Sequence, residues 1–370
     1  MLRKKSRILV LGQTPPPYGG QALMLKTLLD GYYKDAELIH VRLEFSRDFD
    51  DMGSFKLYKF WGLLKAIIQT IAYRVYYRTD ILYYGPAGPN MLAMFRDMLL
   101  LAPVRFLFKK TILHTHAGGS SRLYSKLSPI VKFFYRVAFF EPDILITLTN
   151  YSHGDEVILK AKKVFVVPNG IHDKYVDQVK ADAIAHDGVN LLYVGAMYAE
   201  RGIGELVEAA RMLRDRGFDF QLQLVGIFIS SEYQHEIQAL VGKYRLEKNV
   251  AFLGTKIDNA KWEVFANADI FCFPTYVPSE TFGIVLVESM QFKIPIIASR
   301  WNGIPFVVDE NENGLLVEPK NAKDLADKIE LLIKDKALRG KLGENGRTKY
   351  LENYSIDVFM KNMDKIFTEI

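Results

Sequence analysis

Glu280 and Glu288 stand with seven residues between them. The stretch that joins them, Pro278-Ser279-Glu280-Thr281-Phe282-Gly283-Ile284-Val285-Leu286-Val287-Glu288, reads as a glycine-containing loop entering an apolar helix. One carboxylate lies at the loop and the other about two turns into the helix, so both can face one crevice. The first backbone N–H groups of a helix have no partner within it and attract anions, which puts an anion site beside two acids. Other candidates for chemistry are weaker. His114-Thr115-His116 at a strand end puts two imidazoles on one face. None of the other five histidines is near in sequence and the lone Cys272 sits inside an apolar strand, so no metal centre is expected. No serine stands in a Gly-x-Ser-x-Gly elbow, which excludes that form of nucleophilic triad.

These residues need a scaffold, and the chain is long enough to build two. With 370 residues, 49% of them hydrophobic, it can bury large cores and is expected to split into two domains. Arg7 to Gly12 reads as a buried strand, followed by the loop Gln13-Thr14-Pro15-Pro16-Pro17-Tyr18-Gly19-Gly20 and a helix from Gln21 to about Tyr32. Short apolar strands recur at Glu37 to Leu43, Asp80 to Tyr84, Thr111 to Thr115, Asp143 to Leu148 and Val164 to Pro168, with helical stretches between most of them. Alternating β and α with continuous apolar strands predicts a parallel sheet covered on both faces, with ligands at the carboxyl ends of its strands. The pattern restarts at Asn190, with strands at Leu191 to Gly195, Phe220 to Gly226, Val250 to Gly254, Ile270 to Pro274 and Ile294 to Ser299. The expectation is an α/β chain of two Rossmann-like doubly wound domains facing across a cleft. The first spans residues 1–172, a polar linker 173–188, and the second 189–353. Helical patterns at Ala322 to Lys334 and Ile356 to Ile370 close the chain.

Charge and cysteine usage narrow the setting. Residues 1–187 hold 26 Lys and Arg against 17 Asp and Glu, while the rest hold 22 against 26, so the first half is the candidate for an anionic partner. One cysteine allows no intrachain disulfide and fits a reducing compartment, and no apolar run approaches the ~20 residues of a membrane span. The expected place is the cytoplasm, at the inner face of the membrane. Two basic, aromatic stretches suggest how. Leu57 to Arg78 interleaves Lys59, Lys65, Arg74 and Arg78 with Phe60, Trp61, Tyr73, Tyr76 and Tyr77; Arg122 to Phe140 sets Lys126, Lys132 and Arg136 beside Phe133, Phe134 and Tyr135. Such helices either lie at an anionic membrane surface or cover a sheet with a basic edge in water. No nucleic-acid partner is expected.

A family resemblance rests on an ordered set of motifs. Val194-Gly195, Glu200-Arg201-Gly202, Phe252-Leu253-Gly254, Ala268-Asp269-Ile270 with Phe273-Pro274, Glu280-Thr281-Phe282-Gly283, Glu288-Ser289-Met290 and Asn313-Gly314-Leu315-Leu316-Val317-Glu318-Pro319 together resemble a retaining, nucleotide-sugar-dependent glycosyltransferase of family four. The motifs cover the second domain almost continuously. The first domain is matched by its Gly-Gly loop, Val167-Pro168-Asn169-Gly170 and its layout. The resemblance implies the GT-B architecture, a final helix (354–370) crossing back onto the first domain, and a nucleotide diphosphate sugar as donor. It implies neither a metal nor another cofactor.

It also distributes roles. Glu288 would accept the ribose hydroxyls in pairs. The backbone N–H groups around Thr281, Phe282, Gly283 and Ile284 would hold the pyrophosphate, with Gly283 leaving room for the approach. Gly195 would line the donor site. Arg201, where the family has Lys, would neutralise the leaving phosphate, and Glu280 would lie on the donor sugar. His116, ahead of Ala117-Gly118-Gly119, resembles the family's cleft histidine, against the alternative of a structural one. Gly19 and Gly20 would either offer N–H groups to the donor or form a tight turn. Asn169 reads as a turn residue. Asp48-Phe49-Asp50 imitates the metal-binding acids of the other large glycosyltransferase architecture, but lies in a polar loop and reads as solvated. One departure stands out: the family has Arg after the glycine of this domain's first strand, and here it is Ala196, so either Lys256 or Lys261 replaces it or Arg201 and helix dipoles act alone. The function implied is retaining hexosyl transfer from a UDP-sugar, ahead of a GDP-sugar, to a glycan or lipid-linked acceptor in cell-envelope polysaccharide or glycolipid synthesis. Its rivals are a nucleotide-sugar epimerase on the same fold and a catalytically idle membrane-surface binding protein.

Overall fold

The computed structural model describes residues 5–16, 19–44, 57–152, 154–175 and 188–370. The Asp48-Phe49-Asp50 loop lies outside them, as does most of the expected linker. The chain divides into two compact units, Met1–Gly170 with Asp357–Ile370, and Ile171–Ile356.

The first unit is built on strands β1 (Ser6–Gly12), β2 (Ala36–Arg42), β3 (Ile81–Tyr84), β4 (Lys110–His114), β5 (Ile144–Thr147) and β6 (Val164–Val166), all parallel, in the order β2-β1-β3-β4-β5-β6. Its helices are α1 (Gly20–Asp30), α2 (Leu57–Tyr76), α3 (Met91–Leu101), α4 (Pro129–Phe139) and the single turn α5 (Asp155–Ile158). The Ile8 to Leu11 core of β1 and all of β3 and β5 are buried, which is why these segments are runs of apolar residues with no polar alternation. Leu9, Leu11, Leu82, Tyr84, Leu113 and Leu145 of one sheet face share a core with Leu63 and Ala66 of α2, Met94 and Met98 of α3, and Tyr135 and Phe139 of α4.

The second unit repeats the plan with β7 (Val189–Val194), β8 (Phe220–Val225), β9 (Val250–Gly254), β10 (Ile270–Phe273), β11 (Ile296–Ser299) and β12 (Gly314–Val317), parallel, in the order β12-β11-β10-β7-β8-β9. Its helices are α6 (Ile203–Asp215), α7 (Ser231–Lys243), α8 (Asp258–Ala266), α9 (Ile284–Gln291), α10 (Ala322–Lys334) and α11 (Lys336–Asn353). The last helix, α12 (Ile356–Thr368), starts at the edge of this unit and belongs, from Asp357 on, to the first. There Phe367 meets Tyr33 edge-on at 4.9 Å, and the Lys34 N–H donates to Asp364 at 2.9 Å. The two chain crossings are tied within the second unit, where the Ile171 N–H donates to Tyr354 O at 3.0 Å and the Ile356 N–H to Ile171 O at 3.1 Å.

The doubly wound α/β class expected from the sequence is the one observed, and its strands fall within a residue or two of their apolar runs. Two elements were not expected. Strand β12 is only four residues long and begins at Gly314, directly after the turn at residues 311–313. Helix α11 has no apolar stripe; it is started by the Asp335 carboxylate, which accepts from the Leu338 N–H at 2.8 Å, and it buries Leu342, Gly343, Gly346 and Tyr350. A Cβ on Gly343 would stand 2.0 Å from Lys293 O, so this glycine lets α11 press its backbone against the end of α9. Gly343→Ala is expected to cost about 1–3 kcal/mol by overpacking, read as a lower urea midpoint at unchanged slope; an unchanged midpoint would contradict this packing.

Candidate active site

In the second sheet the strand order reverses between β7 and β10, and loops leaving the carboxyl ends of two such strands open a crevice where ligands bind. Arg201 comes from the loop after β7 and Glu280 from the loop after β10, and the Arg201 guanidinium donates to Glu280 Oε2 at 2.6 Å. The loops are stitched together by the Tyr276 N–H, which donates to Glu200 O at 2.7 Å. Gly202 allows this fit: it has φ +75°, and a Cβ there would lie 2.2 Å from Pro274 O. Both members of the ion pair are largely buried. Burial works against the Arg201 charge, but Glu280 and the phenols of Tyr193 and Tyr198 outweigh it and hold the guanidinium's pKa above its ordinary value. The guanidinium carbon also stands 5.4 Å from the Tyr198 ring and 5.8 Å from that of Phe273.

Glu280 is followed by Thr281 and Phe282, both buried, and by Gly283, which caps α9 in the left-handed region at φ +71°. No side chain caps this helix, so its first N–H groups remain available beside the acids. Leu286 N–H returns to Gly283 O at 2.9 Å, which turns the chain into the helix directly after the glycine. The loop before it is held from the other side: Trp301 Nε1 donates to Val277 O at 2.8 Å and Asn302 Nδ2 to Pro278 O at 3.0 Å. Glu288, buried in α9, accepts from Lys261 Nζ of α8 at 2.5 Å through Oε1. Its other oxygen, Oε2, is buried with no hydrogen-bond partner among the described residues, and so is Arg201 Nε. One is a free acceptor on a carboxylate and the other a free donor on a cation. They complement a hydroxyl and an anion respectively.

Gly195 and Ala196 form the turn after β7, and Tyr193 Oη donates to Ala196 O at 2.9 Å. Of the two lysines that could stand in for an arginine here, Lys261 is committed to Glu288, and Lys256 is half-buried in the loop after β9. The second unit pairs Arg201 with Glu280, carries Thr281, Phe282, Gly283, Ile284 and Glu288 along the loop and helix that follow, and sets Gly195 in the turn after β7. The supporting contacts from Tyr193, Trp301 and Asn302, and the pairing of Lys261 with Glu288, have no sequence signature, because only the order of the strands makes these residues neighbours.

Gly19, Gly20 and His116 lie in the first unit. Gly19 caps α1 without a side-chain hydrogen bond, and a Cβ on either glycine would meet nothing within 4 Å. The strand order also reverses here, between β1 and β3, and Gln21 Nε2 bridges the two loops by donating to Gly85 O at 2.8 Å. His116 stacks on His114 at 4.2 Å, and His114 Nδ1 lies 2.5 Å from Tyr83 Oη. The glycine loop after it is held by Asp155, which accepts from Gly119 N–H at 3.0 Å and Ser121 N–H at 3.2 Å. Among the described residues no group of three or more His, Cys, Asp and Glu side chains could hold a metal ion.

Residues 177–349 match the family described as Glycosyl transferases group 1. The capsular polysaccharide biosynthesis glycosyltransferase CapM of Staphylococcus aureus is 26% identical over 220 residues, 60% of this chain and 55% of its own length. The alpha-D-kanosaminyltransferase of Streptomyces kanamyceticus is 27% identical over 180 residues, 49% of this chain and 45% of its own. The chain thus spans about half the length of these curated relatives. In fold, sucrose-phosphate synthase of Thermosynechococcus elongatus superposes with a TM-score of 0.75 over 99% of both chains at 22% identity. HepE of Anabaena, solved in complex with UDP, gives 0.73 over 98% of this chain and 100% of its own at 17% identity. The matched residues 177–349 fall within the second unit, and the whole chain shares its two-unit fold with sucrose-phosphate synthase and HepE.

Burial lowers the His116 pKa to about 4, with the Asn169 side chain pulling the other way. A base whose folded pKa is depressed charges more readily unfolded, so its contribution to stability is complete above ~6.5 and is lost as pH falls from there toward 4. The His116 ring resonances are expected to stay unshifted from pH 8 down to about 5; a titration midpoint near 6.5 would contradict this environment.

Proposed function

We propose that the chain is a retaining glycosyltransferase that moves a hexosyl group from a nucleotide diphosphate sugar, a UDP-sugar ahead of a GDP-sugar, to a glycan or lipid-linked acceptor, without a metal. The observation that carries this reading is the pairing of two unsatisfied buried atoms, Arg201 Nε and Glu288 Oε2, beside the uncapped start of α9. A nucleoside diphosphate presents the complementary groups, ribose hydroxyls and a pyrophosphate. The ribose hydroxyls would donate to Glu288 Oε2, and the pyrophosphate would lie on the first N–H groups of α9 and on Arg201. Glu280, already fixed on Arg201, would stand toward the donor sugar and orient its hydroxyls.

In the reaction the bond from the anomeric carbon to the phosphate oxygen breaks, and the electron pair leaves with the nucleoside diphosphate. The acceptor oxygen forms the new bond on the same face, and its proton passes to the departing phosphate. Negative charge grows on that phosphate as the bond breaks. Arg201 and the helix amides are therefore worth more in the transition state than in the ground state. Cell-envelope polysaccharide synthesis is the proposed setting, supported by the name of the S. aureus relative. Cytoplasmic location at a membrane face is part of the same proposal; among the described residues no helix is long and apolar enough to cross a membrane.

Ala196 favours one second reading, a catalytically idle binding protein, because it removes a cation the family uses on the phosphate. Turnover separates the two. Donor consumption and product formation should be measured across UDP- and GDP-sugars with a saccharide acceptor, with and without EDTA. The expected result is transfer with retained anomeric configuration, undiminished by EDTA, and a fall in kcat of roughly 10²–10³-fold in Arg201→Ala. No turnover of any donor, or loss of activity in EDTA, would contradict the reading, and epimerised donor without transfer would identify an epimerase.

A further inference from the structure

Helices α2, α3 and α4 cover one face of the first sheet, with α3 packed against both of the others. Their inward sides account for the core they share, yet their outward sides are also apolar. On α2, Trp61, Leu64, Ile68, Ile71 and Val75 recur at intervals of three and four residues, and all are exposed, Trp61 at 62%, Ile68 at 58% and Val75 at 70%. On α4, Ile130 (74%), Phe133 (63%) and Phe134 line the outer side in the same way, and Leu99 of α3 adds to the layer between them. A helix that buries one stripe in a core has no folding reason to carry a second stripe of large apolar residues into water.

Among the described residues, the exposed charges on these helices have one sign. Helix α2 and its end carry Lys65, Arg74 and Arg78, and α4 carries Lys132 and Arg136, with no acidic residue in either helix. The only acid of α3, Asp97, is buried and paired with Arg96. Among the described residues, the acids facing these cations from neighbouring segments are Glu44, 3.8 Å from Lys65, and Asp80, which pairs with Arg74 at 2.8 Å and with Lys109 at 2.9 Å. Beside α4, a cavity of about 760 Å³ runs along Arg136 and Val137 to Phe140 and Lys160, with Glu141 on its rim. A second copy docked through this same face would set cations against cations. A partner that is planar, apolar beneath and anionic at its surface satisfies both the stripes and the charges.

We propose that the outer face of α2, α3 and α4 docks on an anionic phospholipid surface, with Trp61, Ile68 and Phe133 inserted among the headgroups and the lysines and arginines around them on lipid phosphates. The proposal deepens the lipid-linked side of the function above by naming the surface that meets the bilayer. It stands apart from donor chemistry, because no residue of this face belongs to the Arg201–Glu280 site.

The test uses the full chain with vesicles of phosphatidylglycerol mixed into phosphatidylcholine, and of phosphatidylcholine alone. Co-sedimentation is expected with the anionic vesicles, at least roughly tenfold weaker with neutral ones or at about 0.5 M salt. Acyl-chain bromination is expected to quench tryptophan emission in the wild type but not in Trp61→Phe. Ile68→Ser with Phe133→Ser should lower partitioning by roughly tenfold or more. The charge variant Lys65→Gln with Lys132→Gln, which leaves the apolar stripes intact, should lower it roughly tenfold as well and serves if the first variant fails to fold. Turnover of a water-soluble acceptor should be unchanged in both, so that a failure of the catalytic reading shows in the wild type's turnover and a failure of this one in the vesicles. Equal binding to neutral and anionic vesicles, no binding to either, or wild-type binding by both variants would overturn the proposal. So would a wild-type dimer in sedimentation velocity that the Ile68 and Phe133 changes convert to monomer.

Discussion

The second unit is organised around one buried ion pair. Arg201 and Glu280 are 79 residues apart in sequence and 2.6 Å apart in space, at the point where the strand order of the second sheet reverses. Taking two charges out of water costs several kcal/mol each, and the attraction between them offsets this only when geometry is good. The surrounding structure supplies that geometry. Gly202 lets the loop after β7 touch Pro274, and Trp301 and Asn302 hold the loop after β10. Gly303 approaches so closely that a Cβ there would lie 1.9 Å from Thr281 O. A second pair, Lys261 with Glu288, repeats the device about one turn along α9. In each pair one atom is left buried and unsatisfied, so the pairs are stable enough to persist and incomplete enough to receive a ligand.

The first unit meets a different constraint. Its sheet demands three helices on one face, and those helices cover a core shared by all of them. What they show to solvent is then free of folding requirements, and it is apolar and cationic instead of polar and mixed. The same unit carries uncapped α1 behind Gly19 and a neutral histidine pair at the end of β4, held by Tyr83. The first sheet thus carries exposed apolar and cationic residues on its helices and polar groups at its strand ends, and the second sets Arg201 and Glu280 in one crevice.

Much of this was legible in the sequence, and the reason is physical. A parallel strand buried on both faces must be a continuous apolar run, so β1, β3, β5, β7, β10 and β11 announce themselves. Glycines at Gly202 and Gly283 mark backbone that an ordinary residue would strain. The spacing of Glu280 and Glu288 signals a loop followed by a helix. Less visible was anything set by tertiary packing. Helix α11 has a polar composition and is held by the close approach of Gly343 to Lys293, which no periodicity reveals. Lys261 meets Glu288 from a separate helix 27 residues away, and Tyr193 secures the Ala196 turn through a single phenol. Both contacts depend on which strands are neighbours. The basic aromatic helices posed a choice between sheet cover and surface binding; α2 and α4 do cover the sheet, and their opposite sides remain open to the second use.

The proposed nucleotide diphosphate site is the crevice built on Arg201 and Glu280. Calorimetric titration of UDP and GDP into the wild-type chain and into Arg201→Ala and Glu280→Ala tests it most directly. Saturable binding of one nucleotide to the wild type is expected, with a loss of roughly ten- to hundredfold in Arg201→Ala and little loss in Glu280→Ala, whose carboxylate would face the sugar and not the phosphates. Undiminished binding by Arg201→Ala, or no binding of either nucleotide by the wild type, would contradict it.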